Sequence, residues 1–279
     1  MCLSQQQTQW ETDKVYNGWQ QFEQARNGDE GSGKGDYRAR DSLHRSLSTA
    51  ARQEGQGTKG LCIVLKNVLT ASERKYIIDS SESRGFSTQL EQDRVTRNGV
   101  RAIFDDEEFA KSIFERIRKF LPQTWDTKRC SRAPINVELC KQQHGIKLTL
   151  NGLNERFRCL KYTKGQYFRQ HYDGYFVRPE RDTPFFHRPR GILTVQIYTN
   201  TTDYVGGSTR FIHPNCKNNK CRSLVCNLCL DPPTSSGDIL VFQHDILHQG
   251  SEIIRGGPKY ACRTEVMYRA ADKTLLHCA

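Results

Sequence analysis

The chain has 279 residues, with 42 lysines and arginines against 31 aspartates and glutamates and a formal net charge of +11. No apolar run approaches the roughly 20 residues that cross a bilayer, and the opening "MCLSQQQTQWETDK" lacks the apolar centre of a signal peptide, so no membrane partner is expected. The expected setting is cytoplasmic or nuclear, where the eleven cysteines serve mostly as free thiols or metal ligands rather than disulfides.

Residues 1–58 are rich in Gln, Gly, Ser and Arg and carry seven basic against eight acidic side chains, so the positive excess lies wholly in the remainder. This stretch offers too little apolar surface to offset the entropy of ordering, which predicts a largely disordered tail with at most a short helix over residues 15–25. A basic folded domain over residues 59–279 attracts anionic partners: nucleic acid, acidic proteins or small carboxylates. Order is expected to begin at "GLCIVLKNVL", a strand. Thr70 and Glu73 then match a capping box that opens a helix through "RKYIIDSSES". In "DDEEFAKSIFERIRKFLP", acids from Asp105 to Glu108 suit a helix N-terminus, Phe109, Ile113, Ile117 and Phe120 or Leu121 make one apolar stripe, and Pro122 ends it. These flanking helices occupy about 70–121. From about 146 to 270 the apolar period falls to two, in short segments broken by Gly, Pro, Asn and Asp. The predicted fold is α+β and mainly β: a double-stranded β-helix (jelly-roll, cupin-like) core with N-terminal flanking helices.

His171 and Asp173 sit two apart in "YTKGQYFRQHYDGYF". They are either polar residues on the wet face of a strand or two parts of a metal site, and the second reading needs a third ligand. Downstream of Asp173 the histidines are His187, His213, His244, His248 and His277, and "GDILVFQHDILHQG" places two of them just after an apolar strand. Two imidazoles and a carboxylate on one face of an octahedron leave three positions open, the arrangement of non-haem Fe(II) oxygenases.

The blocks "YTKGQYFRQHYDGYF", "LTVQIYTNTTDYVGGSTRF" and "GDILVFQHDILHQGSEIIRGGPKYACRTEVMYR" together resemble the Fe(II)/2-oxoglutarate dioxygenase superfamily, in its prolyl 4-hydroxylase-like branch, over roughly residues 60–270. The resemblance implies that His171, Asp173 and His248 are the iron ligands, with His244 the rival for the third place. It implies that Lys259 anchors the far carboxylate of 2-oxoglutarate, with Arg263, four along on the same strand face, as the alternative anchor or a substrate contact. Tyr162 matches a tyrosine that hydrogen-bonds the cosubstrate, or else is a wall aromatic. Gly206 and Gly207 match a tight turn. The implied activity is hydroxylation of a protein or peptide side chain, with release of succinate and CO2 and a requirement for ascorbate. Arg263 and Arg269 also give the R-x5-R spacing of AlkB-like nucleic-acid demethylases, so oxidative demethylation of nucleic acid is the alternative. A catalytically silent binding module on the same fold is a third reading.

Two stretches depart from the pattern. Cys216, Cys221, Cys226 and Cys229, in a Cys-rich insert over residues 213–232, have spacings compatible with a zinc-stabilised loop, reduced thiols or a disulfide. The segment "VRPERDTPFFHRPRG" carries Arg178, Arg181, Arg188 and Arg190 directly after His171 and Asp173, and is either a solvated lid or a recognition surface for an acidic substrate.

Overall fold

The computed structural model describes residues 61–87, 96–127, 147–181, 183, 187–200, 202–212 and 229–270. The expected tail over 1–58 and most of the Cys-rich insert, Cys216, Cys221 and Cys226 included, lie outside the described residues. Thirteen strands are described, β1 Cys62–Leu65, β2 Val100–Asp105, β3 Thr124–Asp126, β4 Lys147–Leu153, β5 Arg156–Tyr162, β6 Phe168–His171, β7 Arg190–Tyr198, β8 Tyr204–Gly206, β9 Thr209–Phe211, β10 Ile239–Gln243, β11 His248–Gly250, β12 Ile253–Gly256 and β13 Lys259–Ala270. The helices are α1 Ala71–Arg84 and α2 Glu107–Ile117, the latter continued by a 3-10 turn, Arg118–Phe120. No helix among the described residues is long and apolar enough to cross a membrane.

Both helices start as the sequence predicts. Glu73 N donates to Thr70 Oγ1 at 3.2 Å while Thr70 N donates to Glu73 Oε2 at 2.8 Å, which closes the capping box on α1. The same Glu73 accepts Arg116 of α2 at 2.8 Å, so one carboxylate caps one helix and ties it to the other. Asp106 caps α2 through a 2.9 Å bond from Phe109 N, and Ala110, Ile113 and Ile117 are its buried stripe.

An eight-stranded sheet runs β1-β10-β7-β13-β4-β3, and β5 and β2 extend it beside the first half of β13. Every pairing in it is antiparallel. A three-stranded sheet, β6-β11-β9, and a two-stranded one, β12-β8, complete a curled, partly closed jelly-roll. Because side chains alternate along a strand, the register divides the large sheet into two faces. One carries Ile63, Leu65, Val195, Ile197, Ile239, Val241, Phe157 and Cys262, and packs with Ile77, Ile113 and Ile117 of the helices in the main apolar core. The other carries Cys62, Val64, Tyr198, Leu240 and Phe242, which pack with Phe211 of the small sheet. Cross-strand partners on this second face are Lys259 with Tyr162, Ala261 with Leu160 and Tyr198, and Arg263 with Arg158 and Gln196. The strands β10 and β7 are buried almost throughout, whereas the polar residues of β13 and β5 gather at one place.

Three details depart from the sequence reading. β2 and β3 are additional short strands, formed where β5 and β4 offer open edges. The period-two segment "YFRQHYDGYF" leaves its sheet after His171, where Asp173 N turns to donate to His244 O at 3.1 Å. The cysteines are not all thiols: Cys159 and Cys262 are disulfide-bonded, placed directly opposite each other by the register of β5 on β13, with Cα atoms 4.0 Å apart.

Candidate metal centre

His171 ends β6, and His248 opens β11. The two strands pair so that these residues are direct cross-strand partners, which brings positions 77 apart in sequence side by side, with ring centroids at 4.3 Å. Asp173 arrives from the irregular stretch after β6. One donor atom from each of His171, Asp173 and His248 lies within 4.8 Å of the others, and among the described residues this is the one group of three metal-ligating side chains. The three form a 2-His-1-carboxylate facial set. His244, the rival for the third place, is not part of it. It is buried in the turn after β10, packed edge-on to Tyr175 at 5.1 Å, and its two ring nitrogens lack a well-formed hydrogen bond.

The local bonds orient the donors. His171 Nδ1 is 2.7 Å from Arg169 O, and His248 Nδ1 is 2.9 Å from Ile246 O. A carbonyl oxygen only accepts, so each Nδ1 carries the proton and each Nε2 presents a lone pair. Both Nε2 atoms face the carboxylate, His171 Nε2 at 3.7 Å from Asp173 Oδ1 and His248 Nε2 at 3.7 Å from Oδ2. Phe168 stacks on His171 with centroids 3.6 Å apart, and Phe242 meets His248 at 4.8 Å, so neither ring can swing away. Thr194 Oγ1 donates to Asp173 Oδ2 from β7.

The electrostatics favour the ligating protonation states. Burial, then the neighbouring His248, pushes the His171 imidazole down to about 3. His248 is likewise lowered by burial. Burial acts to raise the Asp173 carboxyl, but Arg263 and the surrounding histidines outweigh it and hold it well below the usual carboxylate range. Two neutral imidazoles and one carboxylate are the forms that bind a divalent cation.

A cavity of about 240 Å³ opens beside these donors, lined among others by Lys259, Tyr162, Arg158, Arg263, Thr209 and Gln196. Lys259 is 4% exposed and has no carboxylate partner among the described residues; its Nζ donates to Gly207 O. It lies 5.7 Å from the ring centroid of Tyr198 and 6.0 Å from that of Tyr162. Burial lowers its ammonium to about 8. Gly207, at φ +67°, permits this approach: a Cβ there would sit 3.2 Å from Lys259 Cδ and collide with Ile253. Arg263, the alternative anchor, lines the same cavity but is ion-paired there. Its Nη1 is 2.8 Å from Asp173 Oδ1, and its Nη2 is 3.4 Å from Glu265. Arg269 pairs with Glu180 at 2.7 Å, away from Asp173.

Sequence reasoning missed Thr194, Arg158 and Glu265. Glu265 is buried and receives Arg158 at 2.8 Å and Asn154 Nδ2 at 2.6 Å. The available signal was a polar residue inside an otherwise apolar strand, Thr194 in "GILTVQIY" and Glu265 in "TEVMY". Cys229 is partly buried, and the rest of its proposed zinc set lies outside the described residues.

No family model and no curated protein matches the chain. In shape the chain is similar to the viral collagen prolyl hydroxylase of Paramecium Bursaria Chlorella virus-1, at 17% identity over 74% of this chain and 95% of that chain with a TM-score of 0.41. It is similar to a prolyl-4-hydroxylase of Pseudomonas putida, at 12% identity over 76% and 93% with a TM-score of 0.45. A third is a prolyl hydroxylase of Trichoplax adhaerens solved with a hypoxia inducible factor oxygen degradation domain peptide fragment, at 15% identity over 88% and 98% with a TM-score of 0.43. Likeness at this level carries no chemistry with it; the residues of the site do.

Proposed function

We propose that the protein is an Fe(II)- and 2-oxoglutarate-dependent oxygenase that hydroxylates a side chain of a protein or peptide, with ascorbate as the supporting reductant. The observation that carries the reading is the coexistence in one chamber of a 2-His-1-carboxylate donor set and a buried lysine with no carboxylate of its own. A divalent metal fits the first: two bare Nε2 atoms and a carboxylate held in ligating form supply nitrogen and oxygen donors. A dianionic cosubstrate fits the second, since a carboxylate entering beside Lys259 gains a charge-assisted partner and relieves an isolated buried ammonium.

Iron and 2-oxoglutarate, when bound, supply the oxidising power, consuming O2 and releasing succinate and CO2. The chain supplies placement. Thr194 orients the Asp173 carboxylate, and the carbonyls of Arg169 and Ile246 hold the imidazole tautomers. Lys259 and Tyr162, both lining the cavity, would receive the cosubstrate's far carboxylate, and Phe211 packs on Phe242, which in turn packs on His248. The protein or peptide substrate rests on the resemblance of the sequence blocks to the prolyl 4-hydroxylase-like branch.

The full chain, supplied with Fe(II), 2-oxoglutarate and ascorbate in air, is expected to release succinate and to make a product one oxygen atom heavier from a peptide panel. Methylated oligonucleotides serve as the competing substrates. His171→Ala and Asp173→Ala are expected to lose bound iron after gel filtration; stoichiometric iron in either variant overturns the ligand assignment.

A further inference from the structure

We propose that Arg263 is a positioning residue for the metal: its guanidinium docks the stretch of chain that carries Asp173 onto the sheet and holds that carboxylate in its ligating orientation. The proposal rests on the donor set of His171, Asp173 and His248 and, for its consequence in turnover, on the oxygenase reading above. The three ligands are not held alike. His171 and His248 are cross-strand partners in a hydrogen-bonded ladder. Asp173 lies past the end of β6, where its own N–H reaches His244 O at 3.1 Å. At the next residue packing does not wedge the chain in place, for a Cβ at Gly174 would meet nothing within 4 Å. A carboxylate beside a loosely packed glycine needs side-chain contacts to keep the placement that ligation requires.

Arg263 supplies them. Its Nη1 lies 2.8 Å from Asp173 Oδ1 and its Nη2 donates to Gly174 O at 3.3 Å, so one planar fork holds both the ligand carboxylate and the backbone beside it. The fork is itself fixed. Its Nη2 is 3.4 Å from Glu265, two residues along on the same face of β13. Glu265 is buried, and is met by Arg158 at 2.8 Å and by Asn154 Nδ2 at 2.6 Å. The register sets Glu265 directly opposite Thr194 of β7, and Thr194 donates to the other carboxylate oxygen, Oδ2. Asp173 is thereby clamped from two paired strands, Oδ1 from β13 and Oδ2 from β7. A lysine at 263 would keep the charge, but a single ammonium on a flexible stem does not reproduce a planar fork.

The other roles open to Arg263 have different signatures. An anchor for the cosubstrate would govern 2-oxoglutarate affinity and leave metal affinity alone. A mere cation beside the site would repel a divalent ion, so removing it would tighten metal binding. A brace on the ligand carboxylate has the opposite sign: removing it loosens the metal.

The test uses the full chain and Co(II), whose visible absorption reports both occupancy and the donors around it. Arg263→Met is expected to weaken Co(II) binding by about 10–100-fold. It is also expected to alter the absorption of the saturated protein, which a mere loss of stability does not do. Glu265 keeps Arg158 and Asn154 in this variant, so no buried carboxylate is left unpaired. Arg263→Lys is expected not to restore the parent, remaining at least about fivefold weaker for Co(II). At saturating Co(II), the dissociation constant for 2-oxoglutarate is expected to move less than about threefold in Arg263→Met. Glu265→Gln, which loosens the fork without touching Asp173, is expected to weaken Co(II) binding in the parent chain but not further in Arg263→Met. Unchanged or tighter Co(II) binding in Arg263→Met, full rescue by lysine, additive effects of the Glu265 and Arg263 changes, or a loss confined to 2-oxoglutarate overturns the proposal. Succinate release by the parent chain with Fe(II) is measured in parallel. Succinate release together with unaltered metal affinity in Arg263→Met sinks the brace alone. Weakened metal affinity in Arg263→Met, with no succinate from the parent chain, sinks the oxygenase reading alone. A parent chain that binds no Co(II) sinks both.

Discussion

An ammonium group enclosed at 4% exposure, with a carbonyl oxygen and two tyrosine rings around it, costs the folded chain free energy that the unfolded chain does not lose. Lys259→Met fills the same space without the charge. We expect it to leave the melting temperature unchanged or raised, while the dissociation constant for 2-oxoglutarate, measured calorimetrically with Mn(II) in the site, rises at least about thirtyfold. A lower melting temperature with intact cosubstrate binding contradicts the assignment. The pH dependence has a definite sign. Burial lowers this ammonium to about 8 against 10.5 in the unfolded chain, so the unfolded chain holds more protons between those values. The destabilisation is full below about 8 and is relieved as pH climbs toward 10.5. Cosubstrate binding needs the proton, so its affinity should weaken above pH 8 by up to tenfold per pH unit, a trend absent in Lys259→Met. Thr194 makes the corresponding case for the metal. Its hydroxyl orients one carboxylate oxygen, so Thr194→Val is expected to weaken metal binding by about 10–100-fold without unfolding the protein.

The large sheet keeps packing and chemistry on opposite faces, so damage to one should spare the other. Ile113 of α2 is fully buried in the helix-covered core, on the side away from His171 and His248. Ile113→Ala is expected to cost about 2–5 kcal/mol of stability in urea unfolding, with the metal affinity of the folded protein unchanged; a parallel loss of affinity would show that the faces are coupled. This division also sets how much of the molecule was legible in the sequence. The helices were, because their caps are local: Thr70 with Glu73, and Asp106 before an apolar stripe at helical spacing. The strands around His171, His248 and Lys259 were, because alternation and Gly breaks are local too. β2 and β3 were not, since their formation depends on which edges β5 and β4 leave open. His171, Asp173, His248 and Lys259 could be picked out by their spacing and by the resemblance of the blocks around them. The roles of Thr194, Arg158 and Glu265 depend on register between strands distant in sequence. The same register made Cys159 and Cys262 neighbours, which their composition alone could not suggest.

At the scale of the whole molecule, the jelly-roll encloses three imidazoles in surroundings that refuse their protons. Burial pushes His171 and His244 down to about 3 and lowers His248 too. Each takes up a proton near 6.5 when the chain unfolds, so below that pH the unfolded state binds more protons and folding is opposed. The stability of the metal-free protein should therefore fall as pH drops from about 6.5 toward 3, by as much as about 1.4 kcal/mol per pH unit for each imidazole. Bound metal reinforces the neutral forms of His171 and His248, so it should raise stability at neutral pH and steepen the acid limb. His244 separates this account from ordinary acid unfolding, because it stands outside the donor set and its ring nitrogens lack well-formed hydrogen bonds. His244→Phe keeps a ring against Tyr175 and removes the buried polar atoms, so it should be neutral or mildly stabilising at pH 7. Below 6.5 it should flatten the limb by the contribution of one imidazole while metal affinity stays unchanged. Urea unfolding from pH 5 to 8, with and without Mn(II), measures all three slopes. An acid limb as steep in His244→Phe as in the parent chain would mean that the loss of stability comes from groups elsewhere in the protein.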